Sequence, residues 1–275
     1  MRTPQNGAGY WHGRGRKTLN CLLSVRIARR VLAAISASIV LAGMAAAGED
    51  AKSQSPYTSD VAIESKHLKR GFVPDGDLAK AEWEKAKWVR FDHNYLGAEE
   101  YPEVETEVAS LWTKEHIYFA YRAHYTALNT YEGEDAAKER WKLWERDVVE
   151  VFLNPRPEHL KVYYEFEVAP NNQWLDLDID LDRDPYPNAA WDSGWDHATR
   201  VDEKAKVWTC EFRIPLDSMK VPTIQPGEAW RLNFYRMDGK EEGAKPRHLM
   251  SWSPITPPHN GYHTPKYFGT VRFVK

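Results

Sequence analysis

This sequence of 275 residues predicts an all-β fold, an antiparallel β-sandwich of jelly-roll or immunoglobulin-like topology with one or two short helices. Three observations carry the expectation. Apolar and polar residues alternate with a period of two through many short segments, which places one face of each inward. Clusters of Pro, Gly and Asn separate these segments at close intervals, as sandwich turns require. Helical periodicity is confined to one stretch, Glu134 to Trp144.

Taken in order, the polar stretch from Glu49 to Asp60 reads as a linker, and the folded domain is expected over residues 61–275. Asp75 and Gly76 supply turn chemistry, with Leu78 and Trp83 directed inward. Strands are then expected at Val104 to Trp112, Ile117 to Ala123, Val148 to Leu153, Tyr163 to Val168, Trp174 to Leu181, Val207 to Ile214, Trp230 to Arg236 and Thr270 to Val274. Cys210 alternates with Trp208, Phe212 and Ile214, the pattern of a buried structural thiol.

The N-terminal 48 residues have a different character. Seven basic residues and no acidic one precede Glu49, and the apolar run Val31 to Ala47 ends in Ala45-Ala46-Ala47. That is the layout of a secretory signal peptide cleaved near Ala47, with a true start near Val25 and export to the periplasm or beyond. The Arg29-Arg30 pair fits a twin-arginine signal loosely. Removal of the leader leaves 30 basic residues against 40 acidic ones, a formal charge of −10. Such a chain is a poor partner for nucleic acid or an anionic membrane, and no membrane span is expected after cleavage. Cys21 leaves with the leader, so Cys210 stands without a disulfide partner and the fold must rest on its core.

Several segments recur in an order and spacing that resemble the family 9 carbohydrate-binding modules. These are D-V-V-E-V-F after Trp144, Y-Y-E-F-E-V at Tyr163, W-T-C-E-F-R-I-P at Trp208, G-E-A-W-R-L-N-F-Y-R at Gly227, S-W-S-P at Ser251 and Y-F-G-T-V-R-F at Tyr267. Asp75-Gly76-Asp77-Leu78 through Trp83 resembles the family's opening turn. The resemblance covers nearly everything after Gly71. It implies a non-catalytic sandwich that holds a sugar chain end or small oligosaccharide in a slot, in the service of polysaccharide breakdown.

A sugar offers apolar C–H faces and a rim of hydroxyls, so its site needs flat rings and planar polar groups. The resemblance assigns the two pinching rings to Trp144 and Tyr262, the second being Trp in family members. It assigns the strand carboxylate that accepts hydroxyl hydrogen bonds to Glu150. Asn260 is placed to offer an amide to the rim, and Trp141, three residues before Trp144, adds surface. Where the family strand can offer an Arg, this chain has Glu167. Trp191 and Trp195 form either a second wall or a cover for the sheet, and Trp252 reads as core.

Asp176, Asp178, Asp180 and Asp182 share one strand face, where like charges repel unless matched. Ion pairs to Arg213, Arg231 and Arg236 are one resolution. A structural calcium held by Asp182, Asp184 and Asp192 is the other, since hard oxygen ligands suit that ion. Two further functions are weighed. A glycoside hydrolase, or a subunit accessory to a polysaccharide-degrading enzyme, would need two carboxylates across a sugar bond. A b-type haem domain of related sandwich fold would draw axial ligands from Met219, Met237, Met250 and the histidines.

Overall fold

The computed structural model describes residues 55–133, 138–239, 247–259 and 261–275. The expected signal peptide, the first half of the linker and Asn260 lie outside the described residues. The described residues form twelve strands: β1 (Ala62–His67), β2 (Trp88–Phe91), β3 (Thr106–Trp112), β4 (His116–His124), β5 (Val148–Asn154), β6 (Val162–Val168), β7 (Trp174–Asp180), β8 (Asp196–Asp202), β9 (Val207–Pro215), β10 (Ala229–Asp238), β11 (His248–Ser251) and β12 (Gly269–Val274). All eight segments expected from alternation are strands. The four found in addition are β1, β2, β8 and β11, all only four to seven residues long and none fully buried.

The strands follow the order β7-β6-β5-β10-β12-β1-β3-β4-β9-β8, with β11 beside β10 and β2 beside β3. Neighbours are antiparallel except at one place: β1 runs parallel to both β12 and β3. The sheet is therefore mixed, and β1 joins two halves that curl to face each other. Aromatic contacts bridge them, with Phe119 and Tyr121 of β4 lying 5.6 and 5.9 Å from Phe234 of β10. The Tyr121 hydroxyl also donates to the Glu150 carbonyl at 2.7 Å, and the fully buried Arg236 donates to Val104 O and Thr106 Oγ1. Each large side chain withdrawn from water here contributes roughly 1.5–3 kcal/mol.

Parity decides which side chains enter this core. On β5, Val149, Val151 and Leu153 point between the layers, as do Tyr164, Phe166 and Val168 on β6. The intervening residues face the other way, into a second cluster capped by Leu143, Ile255, Tyr262, Tyr267 and Phe268. β5 and β6 are thereby buried on both faces.

One expected helix is absent. The described part of the stretch from Glu134 to Trp144 carries no α-helix, and only Leu143–Glu145 makes a single 3-10 turn. Arg140 N donates to Trp174 O at 2.9 Å, so this backbone pairs with the edge of β7 instead, and Lys142 takes a left-handed φ of 67°. Tyr57, which composition places in the linker, is buried; its hydroxyl donates to Pro157 O and its ring lies under the Arg231 guanidinium.

The opening turn is fixed by a single buried carboxylate. Glu211, on the outer face of β9, accepts from Asp75 N and Gly76 N at 2.8 Å, from Trp83 Nε1 at 2.7 Å and from Lys80 Nζ at 2.6 Å. Gly76 has φ +79°, and a Cβ there would stand 2.8 Å from the Thr199 carbonyl carbon, so only glycine fits. Glu211 is fully buried, so its removal would leave three N–H donors without their acceptor and Lys80 with only Asp75 of its two acidic partners. Glu211→Ala is expected to lower the free energy of unfolding in urea by about 3 kcal/mol or more. A loss below about 1 kcal/mol would show that the hub does not anchor the turn.

Candidate functional site

The outer face of β7-β6-β5-β10 carries a cavity of about 640 Å³. Its walls are built from local structure. The segment before β5 is held by Asp147, whose carboxylate accepts from Asn129 N at 2.6 Å and from Gly239 N. Burial raises the Asp147 carboxyl to about 6. Arg140 and Arg146 lie over the Tyr131 ring at 3.8 and 4.6 Å, and Tyr131 donates to Glu145. This bracing presents Trp141 and Trp144 edge to face, 4.9 Å apart, at the rim.

A second wall comes from the segment before β12. Tyr262 stacks on Tyr235 of β10 with centroids 4.1 Å apart and planes 10° apart, and Tyr235 donates to Tyr262 O. His263 follows, its Nδ1 2.7 Å from the Tyr163 hydroxyl. Tyr186 and Pro187 close a third side, with Arg247, Leu249 and Tyr95 completing the lining.

Trp141, Trp144, Glu150 and Tyr262, chosen from sequence, therefore line one cavity. Their exposure differs from expectation. Trp141 is 46 % exposed and Trp144 half-buried, whereas Tyr262 is only 9 % exposed because Tyr235 covers one ring face. Tyr262 is thus a wall fixed from behind, and Trp141 offers the more open ring. Trp195 and Trp191 lie elsewhere, packed on Phe166 at 5.1 and 5.9 Å, so they cover the sheet and form no wall of this cavity. Trp252 is buried against Phe234, and Cys210 is a buried free thiol.

The floor holds three glutamates. Glu150 pairs directly across the sheet with Glu167, and Glu165 stands two residues along the same face. Oxygen atoms of all three lie within 4.8 Å of one another. Both oxygens of Glu150, both of Glu167 and Oε2 of Glu165 are buried without a hydrogen-bond donor. Burial, and then the neighbouring Glu165, pushes the Glu150 carboxyl well above the usual range. Burial and then Glu150 do the same to Glu167, while the Arg247 guanidinium opposes both shifts. Glu150 was expected to meet sugar hydroxyls directly, yet its oxygens carry almost no exposed surface.

Glu165, Arg247, Tyr186 and His263 were not singled out from sequence. Glu165 was legible in Y-E-F-E-V, where two glutamates share a face opposite Tyr164 and Phe166. Tyr186 stands between two prolines, a signal for a displayed ring. Asp182, Asp184 and Asp192 do not gather into a ligand group among the described residues. Asp182 pairs with Lys161 at 2.6 Å, and Asp192 accepts from Gly194 N at 2.8 Å. The aspartate row is matched locally: Asp178 pairs with Arg183, and Asp176 accepts from Ser193 N at 2.9 Å. The arginines proposed for it go to Asp196 from Arg213, to the Tyr57 ring from Arg231 and to Asp238 from Arg236. Met219 and Met250 are core residues, and Met237 borders the cavity.

Comparison with known proteins adds to this geometry. Residues 74–275 match the model of a family described as carbohydrate family 9 binding domain-like. A structure from Bacteroides uniformis, described as a candidate carbohydrate-binding protein, is similar with a TM-score of 0.63 at 19 % identity, covering 78 % of this chain and 100 % of its own. A carbohydrate-binding module family 9 from Caldicellulosiruptor kristjanssonii is similar in its complex with cellotriose, with TM-score 0.56, 14 % identity and coverage of 78 % of this chain and 94 % of its own. In its complex with glucose the figures are 0.55, 13 %, 78 % and 95 %. These likenesses establish a shared sandwich fold. An "Extracellular protein" of Arthroderma benhamiae is 28 % identical over 145 residues, which span 48 % of this chain and 63 % of that protein.

The raised carboxyls of Glu150 and Glu167 give stability a definite pH dependence. The folded protein keeps protons that the unfolded chain gives up above 4.5, the ordinary glutamate value. Stability from this cluster is full below that pH and declines as pH rises toward the folded values. In chelator, Glu167→Gln should therefore gain on the native protein in urea unfolding as pH rises above 4.5. Parallel pH profiles for the two would exclude the linkage.

Proposed function

This chain belongs to the carbohydrate family 9 binding domain-like family, and we propose that it is an exported, non-catalytic carbohydrate-binding protein. It holds a sugar chain end or small oligosaccharide between aromatic side chains, in polysaccharide breakdown. The observation that carries this reading is the convergence of Trp141, Trp144 and Tyr262 on one cavity with polar groups of Arg247 and His263 at its edge. Flat rings cover the C–H faces of a pyranose, and planar donors take its hydroxyls. A volume of about 640 Å³ accommodates one to a few sugar rings.

The ligands of the Caldicellulosiruptor kristjanssonii module, cellotriose and glucose, make β-linked glucose chain ends the first candidates here. The N-terminal leader pattern and the extracellular relative support export. Among the described residues no helix is long and apolar enough to cross a membrane. A polysaccharide-degrading enzyme is the partner this role calls for.

The arrangement of carboxylates supports a binding role over a hydrolytic one. Hydrolysis of a glycosidic bond needs two carboxyls on either side of it, at least about 5 Å apart and open to substrate. Glu150, Glu165 and Glu167 cluster within 4.8 Å and are buried.

Titration of residues 49–275 with glucose, cellobiose, cellotriose, xylobiose and galactose, followed by tryptophan fluorescence and calorimetry, tests the reading. Saturable binding is expected, weakened roughly tenfold or more in Trp144→Ala and in Trp141→Ala. Affinity unchanged in both variants would overturn the aromatic slot.

A further inference from the structure

We propose that Glu150, Glu165 and Glu167 form a divalent-cation site of the calcium class at the floor of the cavity. The site lies in the cavity assigned above to sugar, but its argument does not require that a sugar binds.

Three adjacent facts lead there. Cross-strand register sets Glu150 directly opposite Glu167, an arrangement of like charges that destabilises a sheet unless something lies between them. Both side chains are at least 99 % buried, and none of their four oxygens receives a hydrogen bond. Glu211 offers the contrast within the same fold, since its buried carboxylate receives donors from four residues. Among the described residues the glutamate floor has no such set: His263 Nε2 stands 3.9 Å from Glu165 Oε2, and the nearby Arg247 has Nε and Nη2 buried without an acceptor. It lowers the charge of the neighbourhood without bonding to it.

The donor chemistry selects the ion. The ligand atoms are all carboxylate oxygens, which suit a hard cation and give no purchase to thiophilic metals. Calcium takes oxygens at about 2.3–2.6 Å, so ligands on opposite sides of it are roughly 5 Å apart. Oxygens gathered within 4.8 Å of one another satisfy that spacing. A ligand bearing an ammonium group is a weaker candidate. The oxygens have almost no exposed surface for such a group to touch, whereas an ion enclosed among them needs none.

An ion here would fix the side chains beside Tyr235 and Phe152, from which the cavity floor and the Tyr262 wall take their positions. It would also replace protons as the neutralising charge on the cluster, so that binding strengthens as pH rises.

The experiment is calcium titration of chelator-treated protein by calorimetry and by terbium luminescence sensitised through the nearby aromatic rings. One equivalent of calcium is expected, with a rise in thermal midpoint, both lost in Glu150→Gln and in Glu167→Gln. Asp182→Asn, which alters the loop aspartates instead, should bind like the native protein. Failure of the native protein to bind calcium, magnesium or manganese overturns the proposal, as does full binding by both Gln variants. A loss confined to Asp182→Asn overturns it in favour of the loop. Should a Gln variant unfold in chelator, Glu165→Gln supplies the same comparison. Sugar titration of the same samples keeps the two readings apart: calcium binding with no sugar response leaves this site standing and removes the aromatic slot.

Discussion

Burial of β5 and β6 on both faces is the constraint from which the rest of this molecule follows. A strand in the middle of a sandwich normally faces core on one side and water on the other. Here loops that carry Leu143, Tyr262, Tyr267 and Phe268 fold over the second face and dry it. Every residue of β5 is consequently buried, including a glutamate that alternation alone would have sent to solvent. The same covering loops leave a gap between themselves, and that gap is the cavity. Cavity, buried acid and aromatic walls are one event in the fold.

Two kinds of buried carboxylate result, and the difference between them is instructive. Glu211 receives donors from backbone and side chains and Asp147 from two backbone N–H groups, and each holds a loop to the sheet. They are structural, and the fold supplies their whole environment. Among the described residues, neither oxygen of Glu150 or Glu167, nor Oε2 of Glu165, receives such a donor. Folding has brought these three acids together, with burial pushing the carboxyls of Glu150 and Glu167 toward the protonated form, in the region where the aromatic walls leave space.

Much of the architecture was legible because a period of two is a strong signal. The eight strands read from alternation, the buried Cys210 and the inward Trp83 all follow from side-chain parity. What was not legible depended on distance in space. β1 has an ordinary sequence, and its parallel seat between β12 and β3 is set by partners more than forty residues away. Glu134 to Trp144 has helical spacing, but the edge of β7 offers its backbone a competing partner in Trp174. At the site, Trp144, Glu150 and Tyr262, named from the resemblance, line one cavity. It did not reveal that Tyr235 stands behind Tyr262, or that Glu165 would join Glu150 and Glu167. The aspartate row drew attention by its density, yet each member is matched locally, by Lys161, Arg183, Ser193 or a backbone N–H.

The alternation along β5 has an evolutionary consequence. Val149, Val151 and Leu153 answer to the core, and Glu150 and Phe152 answer to the cavity, although all five are neighbours in sequence. Selection for a stable sandwich and selection for a ligand therefore act on interleaved but separate sets of positions. A lineage can exchange the acids of 150, 165 and 167 for other side chains, and so change what it recognises, while the odd residues of β5 and the even ones of β6 keep the scaffold intact. Divergence of ligand within one architecture requires no more than drift on one face of two strands.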